Sequence, residues 1–238
     1  MNILIINSGS SSIKYQLIKM PEETVAASGL VERIGLQGSL IHYKTGEDKM
    51  TKEIDIPDHE TGLNKITSFL MDKEVGVVED KNHIEVVGHR VVHGGKSFSK
   101  TVEVTEDVKE KIRNLFPLAP LHNPHNLLGI EVAESVFPEA KQVVVFDTAY
   151  FQTMPKKAYQ YAIPKKFLYD HDVRAYGFHG TSHKYVSEKA IEYLSEKGLP
   201  SEKIISVHLG NGCSVTAIKD GKAIDHSLGM GPANGLIM

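Results

Sequence analysis

A glycine- and serine-rich turn near the start of the chain has residue types suited to binding phosphate. It follows an apolar strand and reads N-S-G-S-S-S-I-K over residues 7–14. Gly9 lets the backbone approach an anion, and backbone N–H groups together with Ser10 and Ser12 can donate to phosphate oxygens. Lys14 supplies a counter-charge. Strand, polar turn and strand predict a phosphate-binding hairpin, although serine-rich turns also occur simply as solvated turns.

The chain repeats this pattern near its other end. Residues 204–221 read I-I-S-V-H-L-G-N-G-C-S-V-T-A-I-K-D-G, so an apolar strand again enters a polar turn and leaves as an alternating strand. Asp220-Gly221 is a hairpin signal that closes this second strand. Two similar hairpins about two hundred positions apart predict two related lobes whose turns hold a nucleotide triphosphate from both sides.

A buried cation is predicted where V-G-H-R-V-V-H-G-G places Arg90 in an apolar strand before a glycine pair. A guanidinium there binds a carboxylate or phosphate with two parallel hydrogen bonds, and an unpaired one would cost several kcal/mol. A structural ion pair with an internal Asp or Glu is the alternative.

Two histidine pairs have spacings that resemble metal sites. His122 and His125 are three residues apart in A-P-L-H-N-P-H-N, and His179 and His183 are four apart in Y-G-F-H-G-T-S-H. No further zinc-type ligand is near the first pair, and helix capping with phosphate contact explains the second pair with fewer assumptions. Asp147 follows the apolar strand V-V-V-F. Asp, His and Arg around two phosphate turns indicate phosphoryl transfer.

These residues are predicted to lie on a β-meander followed by alternating helices and strands. The predicted strands are 3–6, 13–18, 24–30, 39–43, 85–92 and 142–146, and the predicted helices are 59–70, 104–115, 124–136 and 180–194. We expect Asn123 or Asn126 near the cap of the third helix and Thr181 or Ser182 at the cap of the fourth. We place a lobe boundary near residues 148–155.

Composition excludes several classes of protein. The chain has 238 residues, 41% of them hydrophobic, and a net charge of −3, so it has no basic field for nucleic acid or an anionic membrane. The single Cys213 excludes an internal disulfide framework, and we interpret it as a packed small residue rather than a nucleophile. Neither a signal peptide nor a membrane span is predicted, which fits the cytoplasm.

Six segments together resemble the acetate kinase family, in order and with near-family spacing. They are N-x-G-S-S-S-x-K, G-H-R-V-V-H-G-G, L-H-N-P, F-D-T-A-Y-x-Q-T-M-P, Y-G-F-H-G-T-S-H and H-L-G-N-G, and they cover essentially the whole chain. The resemblance implies the α/β superfold of acetate and sugar kinases, chaperones and actin. Its duplicated ribonuclease-H-like lobes would be residues 1–150 and the start of a second, incomplete lobe, residues 151–238.

The resemblance also implies the reaction and its nucleotide site. ATP and acetate would give ADP and acetyl phosphate by direct in-line transfer, with Mg²⁺ or Mn²⁺, in a cytoplasmic homodimer. Asn7 would help hold the metal ion. The residues implied for the ATP phosphates come from both hairpins: Ser10, Ser12, Lys14, His208, Leu209, Gly210, Asn211 and Gly212.

The residues implied for transfer lie in the segments between the hairpins. Arg90 would bind the carboxylate, Asp147 would act as acid, base or positioning residue, and His179 would stabilise the transferring phosphoryl group. His122 matches a further active-site histidine of the family. A small apolar pocket for the methyl group is implied by four residues: Val92, Leu121, Phe178 and Pro232.

The chain departs from the family in two places. Residues 229–236 read G-M-G-P-A-N-G-L where the family usually has G-F-T-P-[LV]-E-G-L, which changes the pocket wall around Pro232. The family's G-T-R segment, adenosine motifs and magnesium-holding glutamate would all fall beyond Met238. We therefore expect these 238 residues to be a fragment or to work with a separate chain, and to be inactive alone.

Three alternatives remain open at this point. A propionate kinase shares nearly all the motifs, and one methylene is worth only about 1–3 kcal/mol in an apolar pocket. A catalytically incomplete form would bind phosphate or carboxylate without turnover. A sugar kinase or chaperone-like ATPase would share the hairpins, but the setting of Arg90 and the F-D-T-A-Y segment argue against it. No nucleic acid or membrane partner is expected.

Overall fold

The computed structural model describes residues 1–237, which divide into two compact units. The first consists of Met1–Val91 and Thr101–Val145. The second consists of Val92–Lys100 and the chain from Phe146 onward. The segment that follows Arg90 therefore belongs to the second unit although its strand belongs to the first.

An eight-stranded mixed sheet forms the centre of the first unit. In chain order its elements are β1 Asn2–Ser8, β2 Ser12–Lys19, β3 Thr24–Glu32, β4 Leu40–Thr45, β5 Asp48–Glu53, α1 His59–Leu70, β6 Ile84–Val91, β7 Val102–Glu103, α2 Glu106–Asn114, α3 Asn123–Val136 and β8 Lys141–Phe146. The strand order is β5-β4-β3-β2-β1-β6-β8-β7. Strands β1 to β5 form an antiparallel meander, and β6 pairs with β1 in parallel. The predicted meander is confirmed.

Side-chain burial alternates along β1 and β2, which shows which face of this sheet is covered. Leu4, Ile6, Tyr15 and Leu17 are each at most 2% exposed and lie in the same core cluster as Ile66 of α1. Because successive side chains of a strand point to opposite faces, Asn7 and Lys14 lie on the other face. The pattern therefore buries one face and leaves the opposite one for polar side chains.

The second unit contains a smaller antiparallel sheet. Its elements are α4 Lys156–Tyr159, α5 Lys166–His171, α6 Gly180–Glu196, β9 Lys203–Leu209, β10 Cys213–Lys219 and β11 Lys222–His226. The strand order is β11-β10-β9. Asp220 and Gly221 have φ angles of 50° and 72° between the paired Lys219 and Lys222, which is the left-handed conformation that a two-residue hairpin turn requires. The hairpin signal is confirmed.

The two predicted phosphate hairpins are both present but differ in length. In the first, Ser8 pairs with Ile13, so residues 9–12 separate the last strand pair. In the second, Leu209 pairs with Cys213, so residues 210–212 separate it. The first turn is therefore one residue longer.

Asn123 lies next to the cap of α3, as predicted, whereas the predicted cap of α6, Thr181 or Ser182, is wrong. The cap of α3 is His122 and the cap of α6 is His179, and neither side chain makes a capping hydrogen bond. His179 has a φ of 61°, a left-handed backbone that non-glycine residues adopt uncommonly. Thr181 and Ser182 instead bind other side chains.

Candidate active site

A row of three polar side chains crosses the open face of the first-unit sheet. Lys14 of β2 pairs with Asn7 of β1, and Arg90 of β6 donates from Nη1 to Asn7 Oδ1 at 3.2 Å. Ile6 pairs with His89, one residue before each of Asn7 and Arg90, so both side chains leave the sheet on the same side. Residues from two of the sequence-predicted segments are thus brought together.

Two side chains from helices hold the turn of the first hairpin. His59, the first residue of α1, donates from Nε2 to the Gly9 carbonyl at 2.7 Å, and Asn126 of α3 donates from Nδ2 to the Ser8 carbonyl at 2.7 Å. Because a carbonyl only accepts, Nε2 of His59 must carry a hydrogen. We call His59 and Asn126 the turn clamp.

Close helix approach explains why the clamp reaches the turn. A Cβ on Gly129 of α3 would lie 2.6 Å from Ser8 Cβ, so only glycine lets the helix backbone approach β1 this closely. Sequence reasoning missed the clamp. The Pro-His-Asn pattern at the start of α3 marks a helix start, but nothing in it reveals contact with a turn more than a hundred positions away.

Asp147 follows β8 in the second unit and is 1% exposed. Its carbonyl accepts from the Gly180 N–H at 2.9 Å, and its Oδ1 accepts from Thr181 Oγ1 at 3.2 Å. A Cβ on Gly180 would collide with that carbonyl, so glycine is required at this point. The first turn of α6 therefore fixes both the backbone and the carboxylate of Asp147.

His179 is restrained on three sides by groups of the second unit. Its Nδ1 lies 2.8 Å from Ser214 Oγ, and its ring stacks on His208 with centroids 4.4 Å apart. A Cβ on Gly212 would lie 2.5 Å from His179 Nε2, so that nitrogen lies against the turn of the second hairpin. His208 is itself held by Ser182, with 2.9 Å between Nδ1 and Oγ. The predicted phosphate turn and His179 are thus neighbours.

A further histidine, His183, contacts the same serine as His179. His183 Nε2 is 2.8 Å from Ser214 Oγ and its Nδ1 is 2.9 Å from Ser206 Oγ. Burial first, and then the neighbouring His179 and His208, lower the pKa of His183 to about 4, while Asp147 acts in the opposite direction. His183 is therefore a neutral imidazole at neutral pH.

His226 of β11 accepts from the Phe178 N–H at 3.1 Å through Nε2. Burial first, and then His183 and His179, lower the pKa of His226 to about 3. Its Nδ1 lies 2.8 Å from Thr216 Oγ1, so His226 joins the sheet to the segment that carries His179. No sequence pattern predicted a role for His226, which lies outside the histidine motifs.

Hydrogen bonds join two of the sequence motifs to each other. The Gly94 N–H donates to Thr148 Oγ1 at 2.9 Å, and Gln152 Nε2 donates to the Gly95 carbonyl at 2.9 Å. The G-H-R-V-V-H-G-G segment thus ends on the F-D-T-A-Y-F-Q segment.

The remaining predicted residues differ in how far they are buried. His122 is exposed at the start of α3, and Leu121 beside it is 77% exposed. In the second unit Val92 is buried, Phe178 is partly buried with its ring 5.9 Å from that of His93, and Pro232 is exposed. The apolar pocket formed by Val92, Leu121, Phe178 and Pro232 stays a prediction.

The donor set for a metal ion is small. Over residues 1–237 no group of three or more His, Cys, Asp or Glu side chains could hold an ion. Asn7 Oδ1 accepts from Arg90, but an amide oxygen has a second lone pair. This fits Mg²⁺, which keeps several waters and binds mainly through substrate phosphates. Within the same described range, no helix is long and apolar enough to cross a membrane.

Comparison with known proteins gives one consistent result. The chain is 59% identical over 238 residues to the acetate kinase of Flavobacterium johnsoniae and 51% identical to that of Thermotoga maritima, and it spans about 59% of the length of each. Among solved structures it resembles Porphyromonas gingivalis acetate kinase, with a TM-score of 0.93 and 48% identity. It also resembles a propionate kinase from Francisella tularensis, with a TM-score of 0.92 and 43% identity. Each structural match covers all of this chain and 59% of the solved chain.

These likenesses confirm the implied superfold of acetate and sugar kinases, chaperones and actin. The sequence matches the acetokinase family over residues 2–238. The chain therefore belongs to the acetokinase family.

Proposed function

We propose that the protein is a short-chain carboxylate kinase that converts ATP and acetate to ADP and acetyl phosphate. The observation that carries this proposal is His179, whose Nε2 lies against the glycine turn of the second hairpin while Ser214 and His208 restrain its ring. A donor fixed beside a phosphate turn suits charge on a transferring phosphoryl group. Membership of the acetokinase family supports the same reaction.

We assign the steps of the reaction to residues as follows. A carboxylate oxygen attacks the γ-phosphorus of ATP in line, the new O–P bond forms as the bond to ADP breaks, and no net proton moves. Arg90 binds the carboxylate with its planar fork, which a point charge cannot reproduce. Lys14, Ser10, Ser12 and the turn from His208 to Gly212 bind ATP phosphates, and His122 is a further active-site histidine.

We propose that Asp147 positions other groups of the site and does not transfer a proton. Acetate is already ionised at neutral pH and ADP leaves as an anion, so the transfer needs no general base. The support for a positioning role is that Gly180 and Thr181, at the start of the helix that follows His179, bind the carbonyl and carboxylate of Asp147. When Mg²⁺ or Mn²⁺ is bound with ATP it neutralises phosphate charge, and Asn7 would contact it or its water.

Propionate is the second candidate substrate because the chain also resembles a solved propionate kinase. A pocket of Val92, Leu121, Phe178 and Pro232 would separate the two acids by only about 1–3 kcal/mol. We also infer a homodimer in the cytoplasm, with lobes at residues 1–150 and 151–238, as the family resemblance implies. Light scattering of the purified protein tests the dimer.

The test uses the protein expressed from its complete reading frame. Acyl phosphate trapped as hydroxamate should form from ATP, Mg²⁺ and acetate, with propionate used at equal or lower kcat/KM. The control is the exposed variant Arg113→Ala, which should match the wild type. Phosphate transfer to a sugar, or hydrolysis of ATP without acyl phosphate, would replace this proposal by another activity of the superfold.

A further inference from the structure

The hydroxyl of Ser214 lies between two histidines. Its Oγ is 2.8 Å from His179 Nδ1 and 2.8 Å from His183 Nε2, and the residue is fully buried. A serine hydroxyl carries one hydrogen. It can therefore donate to at most one of these nitrogens, and it accepts from at least one if both contacts are hydrogen bonds.

Three arrangements of hydrogens satisfy both contacts, because a hydroxyl oxygen can accept two hydrogen bonds. In one of them both rings donate to Ser214 Oγ, so that Nε2 of a neutral His179 could only accept. The other two place the Ser214 hydrogen between the rings. In the first of these two, His183 Nε2–H donates to Ser214, Ser214 donates to His179 Nδ1, and a neutral His179 then carries its hydrogen on Nε2. In the second, Ser214 donates to His183 and His179 donates from Nδ1, so that Nε2 of a neutral His179 could only accept. When the Ser214 hydrogen lies between the two rings, the presence or absence of a hydrogen on His183 Nε2 therefore determines the tautomer of His179.

The surroundings of His179 favour the arrangement in which Ser214 donates to His179. Nε2 of His179 lies against the Gly212 turn, where a phosphate oxygen needs a donor. His208 stacks on His179 with ring centroids 4.4 Å apart, and a neutral His179 with its hydrogen on Nε2 supplies a donor without adding a charge beside that ring. Burial holds the pKa of His183 at about 4, which leaves that residue a single hydrogen.

We propose that Ser214 is a positioning residue that sets the tautomer of His179, with His183 and Ser206 behind it, so that Nε2 of His179 is the donor. This inference rests on the proposed function for its effect on rate. It also takes from the proposed function the phosphate that selects Nε2 as the donor, whereas the contacts of Ser214 with both rings lie within the second unit and do not depend on activity. Ser214 would not touch the substrate.

The first measurement is nitrogen NMR of histidine rings in the protein expressed from its complete reading frame and labelled with ¹⁵N-histidine. His179, assigned by its loss in His179→Ala, should carry its hydrogen on Nε2 at neutral pH. In Ser214→Ala the His179 signals should move toward a mixture of tautomers. A His179 that carries its hydrogen on Nδ1 in the wild type, or an unchanged tautomer in Ser214→Ala, overturns the proposal.

The second measurement is steady-state kinetics on the same variants. Ser214→Ala should lower kcat by about 10–100-fold, the range for groups that orient an active residue, while KM for ATP and acetate stays within about threefold. Ser206→Ala should cost less, because His183 can still donate to Ser214. A wild type without acyl phosphate formation would end the proposed function, and the NMR result would still decide the tautomer.

Ser187→Ala is the matched control. Ser187 is as buried as Ser214, lies in the same unit, and donates to the Lys184 carbonyl at 2.9 Å. This variant tests the loss of a buried hydroxyl away from His179. It should leave the tautomer of His179 and kcat unchanged, and a loss of kcat equal to that of Ser214→Ala would assign the effect of Ser214 to stability instead.

Discussion

The imidazole ring of His179 stacks on that of His208, with centroids 4.4 Å apart and planes 23° apart. The two rings come from different parts of the second unit, since His179 precedes α6 and His208 lies in β9. Ser182 holds His208 from the same helix that His179 caps. A short piece of helix therefore fixes the orientation of both rings.

His179→Ala and Asp147→Ala should act on rate. His179 would face charge that develops during transfer and Asp147 would position the start of the helix that follows it, so kcat should fall by about 100-fold or more while KM for ATP and acetate changes only a few-fold. His171→Ala, an exposed histidine of the same unit, should retain wild-type kcat. Intact kcat with weakened binding would reverse the roles we assign.

Arg90→Ala should raise KM for acetate far more than KM for ATP, because it removes the guanidinium fork that we propose binds the carboxylate. Arg90→Lys should restore only part of the loss, since a lysine is a point charge. Steady-state kinetics with acetate and ATP varied separately measure the difference. Equal increases in both KM values would place Arg90 at the phosphates instead.

Gly212→Ala should disturb the site more than Gly210→Ala. A Cβ at position 212 would lie 2.5 Å from His179 Nε2, whereas a Cβ at position 210 would have its nearest neighbour at 3.6 Å, an ordinary contact. We expect Gly212→Ala to lower kcat by about tenfold or more, since one misplaced donor costs roughly that much or more. Similar kcat values for the two variants would show that space for His179 Nε2 at position 212 does not control the rate.

His59→Leu should loosen the first phosphate turn. It removes the N–H that reaches the Gly9 carbonyl and leaves that carbonyl without this partner, at a cost of about 1–3 kcal/mol. KM for ATP should rise by several-fold, and His59→Gln should retain part of the affinity. His125→Leu, whose ring stacks with His59 at 6.4 Å, is the control for packing alone. An equal effect of His125→Leu and His59→Leu would show that ring packing, and not the hydrogen bond to the Gly9 carbonyl, accounts for the loss of affinity.

His89 should make folding depend on pH. It is 2% exposed, its Nε2 lies 2.8 Å from Gln142 Oε1, and burial lowers its pKa from 6.5 to about 4. Between those two values the unfolded chain binds more protons than the folded one, so stability falls as pH falls from 6.5 to 4. The loss from this residue should be about 3 kcal/mol.

Urea unfolding at pH 7 and pH 4.5 measures this loss. His89→Gln keeps a donor for Gln142 but does not titrate, so its unfolding free energy should fall less than that of the wild type over the same interval. His171→Gln is the control because that histidine is exposed. An identical fall in wild type and His89→Gln would show that His89 does not titrate differently on folding.

Local patterns predicted most of the first unit. An apolar run predicted β1, alternation predicted β2 and β4, and α1 begins and ends where the helical spacing predicts, at His59 and Leu70. Strand β5 was missed because D-K-M-T-K-E is mostly exposed and carries no alternation. It is an edge strand that exists through its pairing with β4, which no local signal encodes.

The parts of the site that sequence could not predict depend on long-range contacts. Thr181 and Ser182 have the residue types of helix caps, but Asp147 and His208 bind their side chains. His59 and Asn126 were missed as site residues because a helix start explains them locally. Their second role depends on how closely the helices approach β1, and that is a property of packing.

The difference of one residue between the two hairpin turns limits how the repeats can be exchanged. The four-residue turn could close the Leu209–Cys213 pair without turning β10 over, because paired residues of an antiparallel ladder keep the same face. It ends in serine, however, and would place a Cβ before Cys213, where Gly212 leaves room for His179 Nε2. A working chimera would therefore keep glycine at that place, and descent of both hairpins from one ancestral segment requires an insertion or deletion as well as point substitutions.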